Sequence, residues 1–166
     1  MIVVSDTSQI LSLALIGRLD LLHELYHAIV IPEAVRAEIM ATNQAGAREV
    51  AQADWIRTHL IEPDVVLKLL LREVDRGEAE AIALAIQLRA DALLLDERKA
   101  RRVAAYLELN VAGLLDVLQA ARQRQLIPQI KPVLDDLITR ARFRVSRKLY
   151  QRTLHSVGEL EHAHSA

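Results

Sequence analysis

Two rhythms of hydrophobic and polar positions alternate along this chain. Ile2-Val3-Val4 is a short β-branched run closed by Ser5-Asp6, after which Ile10, Leu13, Leu21 and Leu25 recur at helical spacing. That pattern predicts a strand, a turn and one helix over residues 9–26. Thr7 and Ser8 are the expected N-caps of the helix, because a hydroxyl can accept from its unpaired first amides. The pattern returns at Ala28-Ile29-Val30-Ile31, with Pro32 placed as the first residue of a helix that passes through Val35, Glu38 and Ile39. A polar break at Thr42-Asn43-Gln44 precedes a short helix over 47–53, and residues 55–60 read as a short strand or an irregular edge. A helix over 64–71 follows, then another opened by Gly77 and carried by strong helix formers over 78–85. Ala92-Leu93-Leu94-Leu95 is a continuous apolar run ended by Asp96, which suits a central strand buried on both faces. Beyond it the pattern gives a helix over 97–109, a last strand at Val111-Ala112, a turn at Gly113 and helices over 114–123 and 128–140. A terminal helix over 146–155 and a frayed end from 162 to 166 complete the chain.

Strands that alternate with helices imply an α/β fold with a parallel sheet. In such sheets ligands bind in the crevice beyond the carboxyl ends of the strands, and Asp6 and Asp96 both end a strand there. A carboxylate that abruptly closes a hydrophobic run sits at the edge of a low-dielectric core, where charge is costly without a cation or hydrogen-bond donors. Hard dications take oxygen ligands, so Asp6, Glu38, Glu78 and Asp96 read as acids converging on one magnesium- or manganese-binding site. Each acid also has a plainer use. Asp6 can be a strand-end turn former that bonds its own following amides. Glu38 can be a solvated helix residue, and Glu78 an anion favoured by the dipole at a helix start. Glu97 competes with Asp96 for the ligand role, and Asp75 and Glu80 compete with Glu78.

Composition narrows the chemistry. The chain has 166 residues, enough for one ordinary domain, and is 52% hydrophobic with only 3% aromatics, so Leu, Ile, Val and Ala must fill the interior. It has no Cys, which removes disulfides, thiolate zinc sites and thiol catalysis. No apolar stretch is long enough to span a bilayer, and an acid stands at position 6 without a basic segment before it, so a cytoplasmic protein without membrane contact is expected. Lys and Arg total 21 against 22 Asp and Glu, so any contact with nucleic acid must be local. Arg98, Lys99, Arg101 and Arg102, beside Asp96, are the candidate phosphate-binding cluster, with a solvated helix face as the alternative. A second cluster, Arg140, Arg142, Arg144, Arg147 and Lys148, surrounds Phe143 and Tyr150, which are expected to anchor the terminal segment rather than stack bases. His155, His162 and His164 are spaced too irregularly for a zinc site.

Taken in order, four segments resemble the PIN-domain family of metal-dependent ribonucleases, in the bacterial and archaeal subgroup related to VapC-type toxins. They are Val3-Val4-Ser5-Asp6-Thr7-Ser8; Ile16-Gly17-Arg18-Leu19-Asp20-Leu21-Leu22; Ile31-Pro32-Glu33-Ala34-Val35 with Glu38; and Gly77-Glu78-Ala79-Glu80-Ala81-Ile82-Ala83-Leu84-Ala85 followed by Leu94-Leu95-Asp96-Glu97. The resemblance runs nearly end to end. It implies a three-layer α/β/α sandwich with a central, mainly parallel sheet, a PIN-like domain over 1–145, and a C-terminal helical extension with a frayed tail over 146–166. It implies that Asp6, Glu38, Glu78 and Asp96 are the catalytic and metal-binding quartet and that Ser8 supports the first acid. A metal-activated water would then attack an RNA phosphodiester, with Arg98, Lys99, Arg101 and Arg102 on the phosphates. A cognate antitoxin and a homodimer are the partners implied. Glu78 stands where the family more usually has Asp, Leu95 where Thr or Ser often precedes the last acid, and Gln9 where the subgroup usually has Pro. The alternative is a PIN-like module that binds RNA or protein with little or no turnover.

Overall fold

The computed structural model describes residues 1–43 and 45–160. Strand β1 (Val3–Ser5) leads through α1 (Thr7–Leu15) and α2 (Asp20–Tyr26) to β2 (Ile29–Pro32), and α3 (Glu33–Ala41) and α4 (Gly46–Gln52) connect β2 to β3 (Ile56–His59). Helices α5 (Val65–Glu73) and α6 (Arg76–Gln87) lead to β4 (Ala92–Leu94), α7 (Arg98–Tyr106) to β5 (Val111–Ala112), and α8 (Leu114–Gln123), α9 (Ile130–Arg140) and α10 (Arg147–Ser156) follow. Among the described residues the sheet has five strands, all parallel, in the order β3-β2-β1-β4-β5. The order reverses between β1 and β4, so the ends of these two strands frame the crevice where α/β sheets bind ligands.

The strands show why the sandwich has three layers. Successive strand side chains point to opposite faces. Val3, Ile29, Ile31 and Leu94 join a core with Ile10 and Leu13 of α1, Leu21 of α2, Leu118 of α8 and Leu134 of α9. Val4, Leu93 and Leu95 join a second core with Leu67 of α5, Ile82 and Leu84 of α6 and Ala100 of α7. Each such Leu or Ile, fully buried, contributes roughly 1.5–3 kcal/mol. The buried alanines of α6, Ala79, Ala81, Ala83 and Ala85, let that helix lie close against the sheet. Helix α3 touches both α1 and α6.

Several boundaries differ from expectation. The helix expected over 9–26 is two helices, because Gly17 takes φ +71° and the amides of Gly17 and Arg18 turn back to Ala14 and Leu13 at 3.0 and 2.8 Å. The N-cap of α1 is Asp6, not Thr7 or Ser8, because its carboxylate accepts from the Gln9 amide one turn on. Pro32 is the residue before α3 rather than its first. Residues 56–59 are an edge strand whose last three side chains are exposed. Phe143 and Tyr150 anchor the terminal segment, as expected: both pack against the first core, and the Tyr150 hydroxyl donates to Asp135 at 2.6 Å. Glu159 accepts from the amides of Ile130 and Lys131, both at 2.8 Å, and closes α10 onto the start of α9. The expected frayed tail, with His162 and His164, and Gln44 of the polar break lie outside the described residues. Among the described residues no helix is long and apolar enough to cross a membrane.

Candidate active site

Strand β1 delivers Asp6 to the sheet rim, where it is only 4% exposed. Its backbone amide donates to Leu94 O at 3.1 Å, which ties it to the end of β4. Its carboxylate accepts from the Gln9 amide at 3.2 Å and from the Ser8 hydroxyl at 3.1 and 3.3 Å. These donors are neutral. Burial raises the Asp6 carboxyl to about 7 against the downward pull of the Gln9 amide and the Ser8 hydroxyl, and the charges of Asp96 and Glu78 add to the rise.

Asp96 lies just beyond β4. Its Oδ1 accepts from the Leu114 amide at the start of α8 at 3.1 Å, and its Oδ2 accepts from Gln9 Nε2 at 2.7 Å. Burial raises it to about 6, opposed by the Leu114 amide and the Arg101 guanidinium and assisted by the charge of Asp116. A Cβ at Gly113 would lie 2.8 Å from Asp96 Oδ1 and collide with the Arg101 guanidinium, so only glycine lets Asp96 lie there undisturbed.

Glu38 and Glu78 approach from α3 and α6. The Glu38 carboxylate rests on Gly77, where a methyl group would lie 2.5 and 2.9 Å from its two oxygens, and the Thr7 hydroxyl donates to Glu38 Oε2. Glu78 forms a capping box with Asp75: the Asp75 amide donates to Glu78 Oε2 at 3.3 Å, and the Glu78 amide donates to Asp75 Oδ1 at 3.1 Å. Burial, followed by the Asp75 charge, raises Glu78 to about 7, and Glu97 adds to the rise. The competing acids have structural work. Glu97 caps α7 through the Ala100 amide at 2.8 Å, and Glu80 pairs with Arg76 at 3.8 Å.

Asp6, Glu38 and Glu78 line one pocket of about 320 Å³, together with Thr7, Ser8 and Asp75. Asp96 lines a second, larger cleft of about 1140 Å³ with Glu97, Arg98, Arg101, Arg102, Asp116 and Arg144. Gln9 links the two acids at the strand ends, by its backbone to Asp6 and by its side chain to Asp96. Among the described residues no three Asp, Glu or His side chains stand close enough together to hold a metal ion as they are placed. The donor chemistry nevertheless fits a hard dication. Asp6, Glu78 and Asp96 carry raised carboxyls, Gln9 Oε1 is buried without a hydrogen-bond partner, and magnesium takes only one or two carboxylates directly, with water reaching the rest.

Of the candidate cations, Arg98, Arg101 and Arg102 line the cleft beside Asp96, and Arg101 also donates to Leu95 O at 3.2 Å and lies 3.9 Å from Asp116. Lys99 does not line the cleft; it pairs with Glu73 at 3.9 Å. Three residues of the site were not singled out as such from sequence. Asp116 had a faint signal, an acid three residues after Gly113, and it accepts from the Gly113 amide at 2.7 Å. Arg144 stood in the cluster read as an anchor, and Gln9 is a polar residue among the apolar positions of α1.

A family model described as a PIN domain matches residues 2–159. No curated protein matches the chain.

Proposed function

The chain belongs to the PIN-domain family, and on that premise we propose that it is a magnesium- or manganese-dependent endoribonuclease of the toxin type. The family has a nuclease-type fold. The observation that carries the finer reading is Asp6, nearly buried at the switch point of the sheet, with neutral donors only and with Asp96 and Glu78 raising its pKa further. A carboxylate so placed is stabilised by a cation from outside the chain.

Asp6 and Asp96 would hold the dication, with Glu38 and Glu78 completing the negative pocket and orienting water. A bound dication supplies Lewis-acid stabilisation of a phosphodiester and a nucleophile at neutral pH. Ser8 and the Gln9 amide keep the Asp6 carboxylate fixed in direction. The arginines at 98, 101 and 102 would neutralise phosphates in the cleft that Asp96 shares with them. A cytoplasmic antitoxin segment covering the acidic pocket belongs to the same reading. So does a homodimer, for which Leu60, Val65 and Leu69 offer exposed apolar surface.

A second reading, a binding module with little turnover, is favoured by one observation: the Glu78 carboxylate is engaged in the capping box. Single-stranded RNA incubated with the purified protein and manganese separates the two. Cleavage that disappears in the Asp6→Asn, Asp96→Asn double variant supports the enzyme. RNA binding without cleavage and without heat from manganese in calorimetry supports the module. Cleavage that survives the double substitution removes the quartet from the mechanism.

A further inference from the structure

Gln9 is completely buried near the start of α1, a helix whose Ile10, Leu13 and Ala14 are buried as well. Burying an amide costs free energy unless its polar atoms are bonded. Only half of this one is. Nε2 donates to Asp96 Oδ2 at 2.7 Å, 87 positions away in the chain, while Oε1 has no partner. The backbone amide of the same residue donates to Asp6 Oδ1 at 3.2 Å. A single residue therefore holds the acid at the end of β1 by its main chain and the acid beyond β4 by its side chain.

The residue before Asp96 supplies no such restraint. Leu95 is apolar, and its side chain is buried in the core on the α6 and α7 face of the sheet. Asp96 is fixed instead by the Leu114 amide on one oxygen and by Gln9 on the other. An ionised carboxylate offers about four lone-pair sites, so one donor on each oxygen sets the plane of the group and still leaves sites for a cation. An apolar side chain at position 9 would suit the core without leaving an acceptor unbonded. Packing alone gives no account of the amide.

We propose that Gln9 is a positioning residue, which fixes the orientation of the Asp6 and Asp96 carboxylates relative to each other so that both present oxygens to one divalent cation. The inference rests on the metal-dependent reading above. Groups that orient metal ligands by hydrogen bonding change metal affinity by roughly 10- to 100-fold when removed.

Manganese titration of the full chain by calorimetry tests it, with melting temperature recorded for each variant. Gln9→Leu is expected to lower manganese affinity about tenfold or more while its metal-free melting temperature stays at or above that of the parent. Gln9→Asn keeps an amide that stops one methylene short, and it is expected to fall between the two. Should Gln9→Leu fail to fold, Gln9→Asn decides the matter. Unchanged affinity in the variants overturns the inference and leaves the metal-dependent reading standing. A loss of affinity that simply follows a loss of melting temperature also overturns it, since that is what a structural role alone would give. No manganese binding by the parent protein overturns both.

Discussion

Asp6 at the sheet rim and Asp135 on α9 are both carboxylates with two partners, and they are treated in opposite ways. Burial pushes the Asp135 carboxyl up, but hydrogen bonds from Lys131 at 2.8 Å and Tyr150 at 2.6 Å outweigh it, and the group ends below the usual range. Asp6 is far more deeply buried, receives only neutral donors, and has Asp96 and Glu78 for charged neighbours. At Asp135, which fastens α9 to α10 through Tyr150, the chain supplies its own cation in Lys131. At Asp6 it supplies none, and on the proposed reading a dication from outside the chain offsets the cost of burying that carboxylate.

The sharpest way to break this comparison is to neutralise one side at a time. With manganese at a hundred times its dissociation constant, the parent protein should gain about 2.7 kcal/mol of stability, read as a rise in melting temperature. The gain should vanish in the Asp6→Asn, Asp96→Asn double variant and persist in Asp135→Asn. Equal gains in both variants would show that the rim acids are not the binding site.

Acidity offers the next contrast. Asp6 and Glu78 at about 7 and Asp96 at about 6 all lie above their ordinary values, so the folded protein binds more protons than the unfolded chain between about pH 4 and 7. The metal-free protein should therefore lose stability as pH rises through that window, and have a lower melting temperature at pH 8 than at pH 5. Manganese should cancel the loss, and the double Asn variant should lack most of it. A flat metal-free profile would contradict the upward shift of these carboxyls.

The smallest effect belongs to the fastened end. Tyr150→Phe removes one hydrogen bond to a charged group and should cost about 1.5 kcal/mol in denaturant unfolding, with manganese affinity unchanged. A change in affinity would mean that α10 is coupled to the rim.

The sequence made Asp6 and Asp96 visible because an acid that ends a hydrophobic run is a local signal, and the alternation of strands and helices carried the parallel α/β architecture. What stayed hidden is non-local. The bond from Gln9 to Asp96 joins two distant stretches of chain, and no periodicity reports it. The seat of Glu38 on Gly77 likewise depends on how α3 and α6 meet. The split between α1 and α2 was announced by Gly17, but apolar spacing on both sides of it suggested one continuous helix. Lys99 looked equivalent to Arg98 and Arg102 until the position of Glu73 on α5 was known.

Strand β1 has three residues, paired to β4 as Val3 with Ala92, Val4 with Leu93 and Ser5 with Leu94. A slip of one position would exchange Val3 and Val4 between the two cores and turn Asp6 toward the wrong layer. Loss or gain of a residue between positions 3 and 6 is thus an inversion rather than a shortening, and the chain should tolerate length variation upstream of the strand while rejecting it within.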